Sequence, residues 1–351
     1  MKNILFDNII YSLQQSGGIS SMWSILLESM LNDNRFDFRC IELNNSAKNN
    51  IFRSPISFSS NKIIQERTLL PNSIERYRKV AIPNNDNFAV FHSSYYRIPS
   101  NPSIKSIITV HDFTYEKHVT GIKKKIHCYQ KYNAINHADI VVCVSKNTYN
   151  DLIHYLPHIN KKKIHVIYNG ISSVFQKLKD VSRGENLLYV GSRSKYKNFE
   201  LFIESVRETT HHIDICGTPL THSEQKYLNK KLGEYRYTVY SNIDNAQLNK
   251  LYNSAKCLIY PSNYEGFGLP IIEAQSVGCP VIALNASSIP EIIGETPLLL
   301  QEATQKEILK ALSKLENQTL IEETIEAGKI NALRFSNTLM TDRYKELYLT
   351  L

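Results

Sequence analysis

Residues 256–285 read KCLIYPSNYEGFGLPIIEAQSVGCPVIALN, and they decide the fold. KCLIYPS is a short apolar run that suits a strand buried on both faces. NYEGFG follows as a glycine-punctuated loop, and Pro270 fits the first turn of a helix, where its missing N–H is no loss. The helix IIEAQSV ends at Gly278, placed as a C′ glycine, and CPVIALN begins the next strand at Cys279. Strand, helix and strand in so short a span make a βαβ unit. Two carboxylates, Glu265 and Glu273, bracket the loop and the helix start. Glu273 is placed in the first helical turn, where complementing the helix dipole contributes about 0.3–1 kcal/mol. That does not account for Glu265, nor for the two glycines and the aromatic between the acids. Gly266 and Gly268 permit a loop whose N–H groups form a nest for phosphate oxygens.

The same alternation runs outward in both directions. Apolar runs at 4–10, 88–94, 106–112, 139–145 and 164–170 lie before it, and runs at 186–191, 211–217, 237–241, 256–262 and 279–285 complete the set. Helical patterns such as FELFIESVRE (199–208) and NAQLNKLYNSA (245–255) separate them. With 351 residues, two sets of about five strands predict two doubly wound α/β domains. The polar stretch QKLKDVSRGE (176–185) marks the boundary, giving domains 1–175 and 176–334. RFSNTLMTDRYKELYLTL (334–351) reads as a last amphipathic helix with Leu339, Tyr344, Leu347 and Tyr348 near helical spacing. NNSAKNNIFRSPISFSSNK (44–62) reads as a weakly structured loop.

Composition is that of a soluble globular protein, with 42% hydrophobic and 21% charged residues. Six scattered cysteines with no CxxC pair predict a reduced, cytoplasmic chain without a zinc site. The N-terminal run, broken by Asp7, lacks the pattern of a signal peptide. No apolar run approaches the roughly 18–20 residues that span a bilayer. The net charge of +8 is uneven: residues 1–170 hold 21 Lys+Arg and 12 Asp+Glu, so the whole excess sits in the first half. That asymmetry fits nucleic acid, anionic lipid, an acidic small ligand, or simply solvated lysines. Nucleic acid would call for aromatics interleaved with the basic residues on one platform, whereas these lysines are dispersed.

In open α/β sheets, ligands bind outside the carboxyl ends of the strands. After the first run, Gly17 and Gly18 precede a helical pattern and fit either a tight turn or a close approach to an anion. His111 and Asp112 follow the third run, and His111 reads equally as a substrate contact or a structural histidine held by Asp112. Arg193, Lys195 and Lys197 fall between a strand and a helix, with Asn198 as N-cap. A guanidinium fork and an ammonium at that place could clamp a diphosphate, or be an exposed basic loop.

These motifs resemble the retaining glycosyltransferases of the two-Rossmann (GT-B) architecture, most closely the large bacterial family 4. E-G-F-G-L-P-x-x-E (265–273) followed by A-x-x-x-G-x-P-V-I-A is similar to that family's paired-glutamate motif. YVGSRSKYKN, VIYNGISSVF, HDFTYE, VVCVSKNT and SSIPEIIG match other family segments in order and spacing. The resemblance covers essentially the whole chain, most weakly 44–80. It implies two Rossmann-like domains facing across a cleft, the first binding acceptor and the second donor, with a C-terminal helix (335–351) packing back on the first.

The resemblance also implies residue roles. Glu265 contacts donor-sugar hydroxyls at the reaction centre, with His111 touching the transferred sugar. Glu273 accepts from ribose hydroxyls, and the N–H groups around Gly266, Phe267, Gly268 and Leu269 cradle the phosphates. Arg193 and Lys197 neutralise the departing diphosphate, Gly18 approaches it from the first domain, and backbone near Ile243 seats the base. The family often spaces its arginine and lysine further apart, so Lys195 and Lys197 both stand for the phosphate role. No Asp-x-Asp occurs, in keeping with GT-B enzymes that hold the diphosphate without a metal. Paired carboxylates also serve glycoside hydrolases, but those need no adjacent anion nest.

The expected function is a retaining, metal-independent hexosyltransferase of surface polysaccharide (O-antigen or capsule) assembly. It would work with no cofactor beyond its nucleotide-sugar donor. Family habit points to GDP-mannose, with UDP-hexose or GDP-fucose next. The expected acceptor is a lipid-linked oligosaccharide at the cytoplasmic face of the inner membrane, to which RYRK (76–79) and KKKIH (123–127 and 161–165) would be attracted. The alternatives are a GT-B nucleotide-sugar epimerase or phosphorylase, and a non-catalytic carbohydrate-binding relative.

Overall fold

The computed structural model describes residues 1–43, 46–67, 70–82 and 87–351. Residues divide into two compact units, 1–170 with 337–351, and 171–336. The first unit holds β1 (Lys2–Asp7), β2 (Phe36–Leu43), β3 (Ile63–Glu66), β4 (Val90–Ser93), β5 (Lys105–Val110), β6 (Ile140–Cys143) and β7 (Ile164–Val166). They form one parallel sheet in the order β3-β2-β1-β4-β5-β6-β7. The second unit holds β8 (Leu187–Val190), β9 (Ile213–Gly217), β10 (Tyr237–Ser241), β11 (Cys257–Tyr260), β12 (Val281–Leu284) and β13 (Leu299–Leu300). Their order is β10-β9-β8-β11-β12-β13, again parallel. Both sheets are doubly wound, and the order reverses beside β1 and β4 in one and beside β8 and β11 in the other. Such reversal points are where ligands bind in open α/β sheets.

All four residues of β4, β6, β8, β11 and β12 are buried, which is why their sequences read as continuous apolar runs. The sheets carry seven and six strands where about five each were expected. The additional ones are β2, β3 and β13. β2 (FDFRCIEL) interrupts its apolar residues with Asp37 and Arg39, and β3 and β13 are edge strands of four and two residues. Short edge strands carry too little period-2 pattern to be read. The run 4–10 is not all strand: β1 stops at Asp7 and a short helix begins at Ile9.

Segment 44–62 is not the weakly structured loop expected, apart from residues 44–45, which lie outside the described residues. Ala47, Asn50, Arg53 and Ile56 are buried. Arg53 Nε donates to Glu42 Oε1 at 2.5 Å, and Asn50 Nδ2 donates to Gln14 O at 2.8 Å. A buried guanidinium so paired fixes the chain wherever it lands, because losing its partner would leave an uncompensated charge.

The border between the units falls at 170/171 rather than 175/176. Phe175 packs edge-on to Tyr252, and Asn249 and Asn253 both donate to Gln176 O, tying this stretch to the second unit. The last helix, Asn337–Thr350, is part of the first unit. It buries Met340, Tyr344 and Tyr348, whereas Leu339, expected on the inner face, is exposed. Tyr348 Oη lies 2.7 Å from His92 Nδ1, and Thr109 Oγ1 lies 3.1 Å from His92 Nε2 and 3.0 Å from Tyr344 Oη. Gly170 allows the helix to begin there: a Cβ would meet Asn337 Cα at 2.8 Å.

Candidate active site

Three loops converge at the carboxyl ends of β8, β11 and β12. After β8, residues 191–198 carry the basic cluster. After β11, residues 261–268 carry Glu265. Three hydrogen bonds stitch these two loops: Asn263 N to Tyr196 O (2.7 Å), Asn198 Nδ2 to Pro261 O (2.8 Å), and Asn263 Nδ2 to Asn198 Oδ1 (3.2 Å). Asn198 stands at the N-cap position but its side chain does not cap the helix, contrary to expectation. Its backbone is left-handed, φ 53°, which asparagine tolerates better than most residues, and its amide serves the stitch instead. From β12, Ser287 Oγ accepts from Glu265 N at 2.8 Å, and Ser288 Oγ donates to Glu265 O and Phe267 O, both at 2.9 Å. Phe267 is buried with its ring edge-on to Phe335.

Held this way, Lys197 Nζ lies 2.6 Å from Glu265 Oε1. Of the two lysines open for the phosphate role, Lys197 is the one turned to Glu265, and Lys195 is exposed. Arg193 is placed differently from expectation. Its Nε donates to Glu224 Oε1 at 2.7 Å, and its terminal nitrogens reach Thr218 O and Pro219 O, each at 2.9 Å. This pair holds the Glu224 carboxyl down at about 2. Arg193 therefore ties the loop after β9 to the loop after β8. Gly217, the last residue of β9, must be glycine, since a Cβ would meet Gly191 O at 2.6 Å.

Glu273 is the fifth residue of the helix Leu269–Ser276, beyond the first turn, so dipole complementation does not explain it. It is half-buried, with Tyr252 Oη donating to its Oε2 at 2.9 Å. Burial pushes its carboxyl up to about 7, partly opposed by the Tyr252 bond. The helix itself follows the sequence closely. Gly268 precedes it at φ 106°, Pro270 sits in its first turn, and Gly278 follows at φ 78°. Gly278 N to Gln275 O and Cys279 N to Ala274 O complete a Schellman closure. The first N–H groups of any helix lack intrahelical partners; of these, Pro270 has none to offer and Ile271 N donates to Gly268 O at 3.0 Å. Ile243 lies half-buried between β10 and the capping box of Asp244 and Gln247.

Two site residues belong to the first unit. Gly18 opens the helix Gly18–Leu31 after the end of β1. His111 follows β5, is buried, and its Nε2 has no hydrogen-bond partner among the described residues. Burial lowers its pKa to about 4, leaving the imidazole neutral. Asp112 Oδ1 accepts from Thr114 N at 2.8 Å and so starts the next helix. Tyr252, Ser287, Ser288 and Glu224 were not assigned from sequence. Their roles depend on contacts across 21 to 31 residues, and a lone tyrosine or serine gives no sign of that. Among the described residues no three His, Cys, Asp or Glu side chains are grouped to hold a metal ion, and no helix is long and apolar enough to cross a membrane.

Residues 170–331 match the family model for glycosyl transferases group 1, and residues 49–174 match that for glycosyltransferase family 4. A protein of the cps region of Klebsiella pneumoniae is 24% identical over 72% of this chain and 73% of its own. O-antigen chain mannosyltransferase B of Escherichia coli is 42% identical over 23% of this chain and 22% of its own. O-antigen chain mannosyltransferase RfbU of Salmonella typhimurium is 29% identical over 48% of this chain and 49% of its own. The chain thus matches half or less of the length of those two mannosyltransferases. Anabaena HepE, solved with UDP and glucose, has the same fold, with a TM-score of 0.76 at 14% identity over the full length of both chains.

Proposed function

The chain belongs to the glycosyltransferases of group 1 and family 4, and from that membership we propose that it moves a hexose, with retention, from a nucleoside diphosphate sugar to a glycan hydroxyl. The names of its relatives favour mannose and so a GDP-linked donor, with UDP-sugars as the competing class. The observation that carries the reading is the Lys197–Glu265 pair at the point where the second sheet reverses its order.

Chemistry assigns the parts. Diphosphate is anionic and takes a cation and backbone N–H groups: Lys197 and the start of the helix Leu269–Ser276. Sugar and ribose hydroxyls are neutral donors and suit carboxylates: Glu265 toward the sugar, Glu273 with Tyr252 toward the ribose. Arg193 joins the diphosphate by exchanging Glu224 for it, and backbone near Ile243 seats the base. On the first unit, His111 and Gly18 are proposed as sugar and diphosphate contacts on the family resemblance alone. No metal is needed in this scheme.

The acceptor is proposed to be a lipid-linked oligosaccharide of surface-polysaccharide assembly, presented at the cytoplasmic membrane face. The basic excess of residues 1–170 supports this choice. Glu265→Ala, still folded by circular dichroism, is expected to abolish transfer, and an unchanged rate would overturn the assignment. A thermal-shift comparison of GDP with UDP identifies the base. Sugar released without any acceptor would instead favour an epimerase or phosphorylase.

A further inference from the structure

The helix Gly121–His137 lies against the first unit through His127, Gln130, Lys131, Ala134 and Ile135. Its opposite face should be polar, as on any surface helix. It carries instead Ile122, Ile126 and Tyr129, which are 68%, 45% and 75% exposed. These are spaced i, i+4, i+7 and so form one outward stripe. Lys123 and Lys125 flank the stripe and are exposed, while Lys124 turns away to donate to Glu116 O at 2.6 Å. The helix contains no acidic residue.

The adjoining segment continues the pattern. Gln130 Nε2 donates to Arg76 O, fastening residues 72–79 beside the helix. That segment exposes Ile74 and Tyr77 together with Arg78 and Lys79. Its acid, Glu75, is buried and paired with Arg78 at 2.8 Å. Apolar and basic side chains thus share this surface, and its acids are turned in.

We propose that the outward face of Gly121–His137, with Ile74 and Tyr77 beside it, seats the protein on a bilayer surface containing anionic lipid. Ile122, Ile126 and Tyr129 enter the boundary between headgroups and acyl chains, where apolar side chains leave water and a tyrosine hydroxyl keeps a polar neighbour. Lys123, Lys125 and Lys79 meet lipid phosphates, each raising the partition coefficient on the order of 5-fold near an anionic surface. A soluble acidic protein would satisfy the lysines but not the isoleucines, and an apolar protein surface would leave the lysines unanswered. A lipid surface with anionic headgroups answers both. The inference rests on the reading of a membrane-borne acceptor, yet binding to vesicles needs neither donor nor transfer.

The test is co-sedimentation of the full chain with vesicles of phosphatidylcholine alone and of phosphatidylcholine with phosphatidylglycerol. Wild type is expected to sediment with the anionic vesicles only. Lys123→Gln with Lys125→Gln should lower that partition about 10-fold or more. Ile126→Ser with Tyr129→Ser should lower it comparably, with melting temperature and the thermal shift given by nucleoside diphosphate unchanged, because these side chains contact solvent. Wild type that ignores anionic vesicles, or variants that partition equally to it, would overturn the proposal. So would a wild-type dimer in sedimentation velocity that Ile126→Ser with Tyr129→Ser dissociates, which would give the stripe to a second copy of the chain. A lost nucleotide shift in wild type, with vesicle binding intact, would count against the transferase reading alone.

Discussion

Lys197 Nζ lies 2.6 Å from Glu265 Oε1, with both side chains nearly enclosed. Each therefore neutralises a charge that would be costly to leave unpaired. In the proposed scheme donor binding parts them, the lysine toward phosphate and the glutamate toward sugar hydroxyls. Glu265→Gln should then bind nucleoside diphosphate as tightly as wild type or severalfold more tightly, while transfer falls ~100-fold or more. Lys197→Met should lose affinity for the diphosphate itself. Calorimetric titration with the nucleoside diphosphate separates the two, and a parallel loss of affinity in both variants would refute the exchange of partners.

Glu273 supplies a pH dependence. Its carboxyl is raised from 4.5 to about 7 by burial, so the fold prefers the neutral acid. Stability from this group is fully present below the unfolded value and declines as pH rises through about 7, by up to about 3 kcal/mol. Glu273→Gln should flatten that decline, read by denaturant unfolding at pH 5 and pH 8. Ribose hydroxyls that donate to Glu273 favour the carboxylate. Nucleotide binding near neutral pH should therefore release a proton in wild type and none in Glu273→Gln, as measured in buffers of different ionisation enthalpy.

Arg193 is held by Glu224 at 2.7 Å. Removing the acid's charge releases the guanidinium for phosphate. Glu224→Gln is expected to raise nucleoside-diphosphate affinity severalfold, at the cost of weakening the loop after β9, for which charge-assisted hydrogen bonds of this kind contribute about 1–3 kcal/mol. Unchanged affinity in thermal-shift titration would confine Arg193 to a structural tie.

The last helix is locked to the first sheet through Tyr348 and His92. Tyr348→Phe leaves a wholly buried imidazole nitrogen without its partner, which costs about 1–3 kcal/mol. Urea unfolding should show that loss for the first unit, with the nucleotide-induced shift of the second unit retained.

The turn after β11 was legible because it is local. The turn from β11 into the helix Leu269–Ser276 is specified by Gly268, Pro270 and Gly278 within a few residues, and backbone sterics at those positions leave few other conformations. Glu273 was visible as an acid but misplaced in the first turn, since helix starts are set by hydrogen bonding that a pattern locates only to within a residue or two. Its burial and its Tyr252 partner could not be read, because both depend on a helix that begins more than twenty residues earlier.

The parallel, doubly wound character of both units is written in the order of residues, since strands buried on two faces must be apolar throughout and their spacing demands crossover helices. So is the glycine and proline punctuation of the loop after β11. Folding alone brings Lys197 rather than Lys195 to Glu265, pairs Arg193 with Glu224, and turns Ile122, Ile126 and Tyr129 outward. A side chain's partner depends on which strands lie side by side, and helical periodicity fixes which residues share a face without saying which face the core will cover.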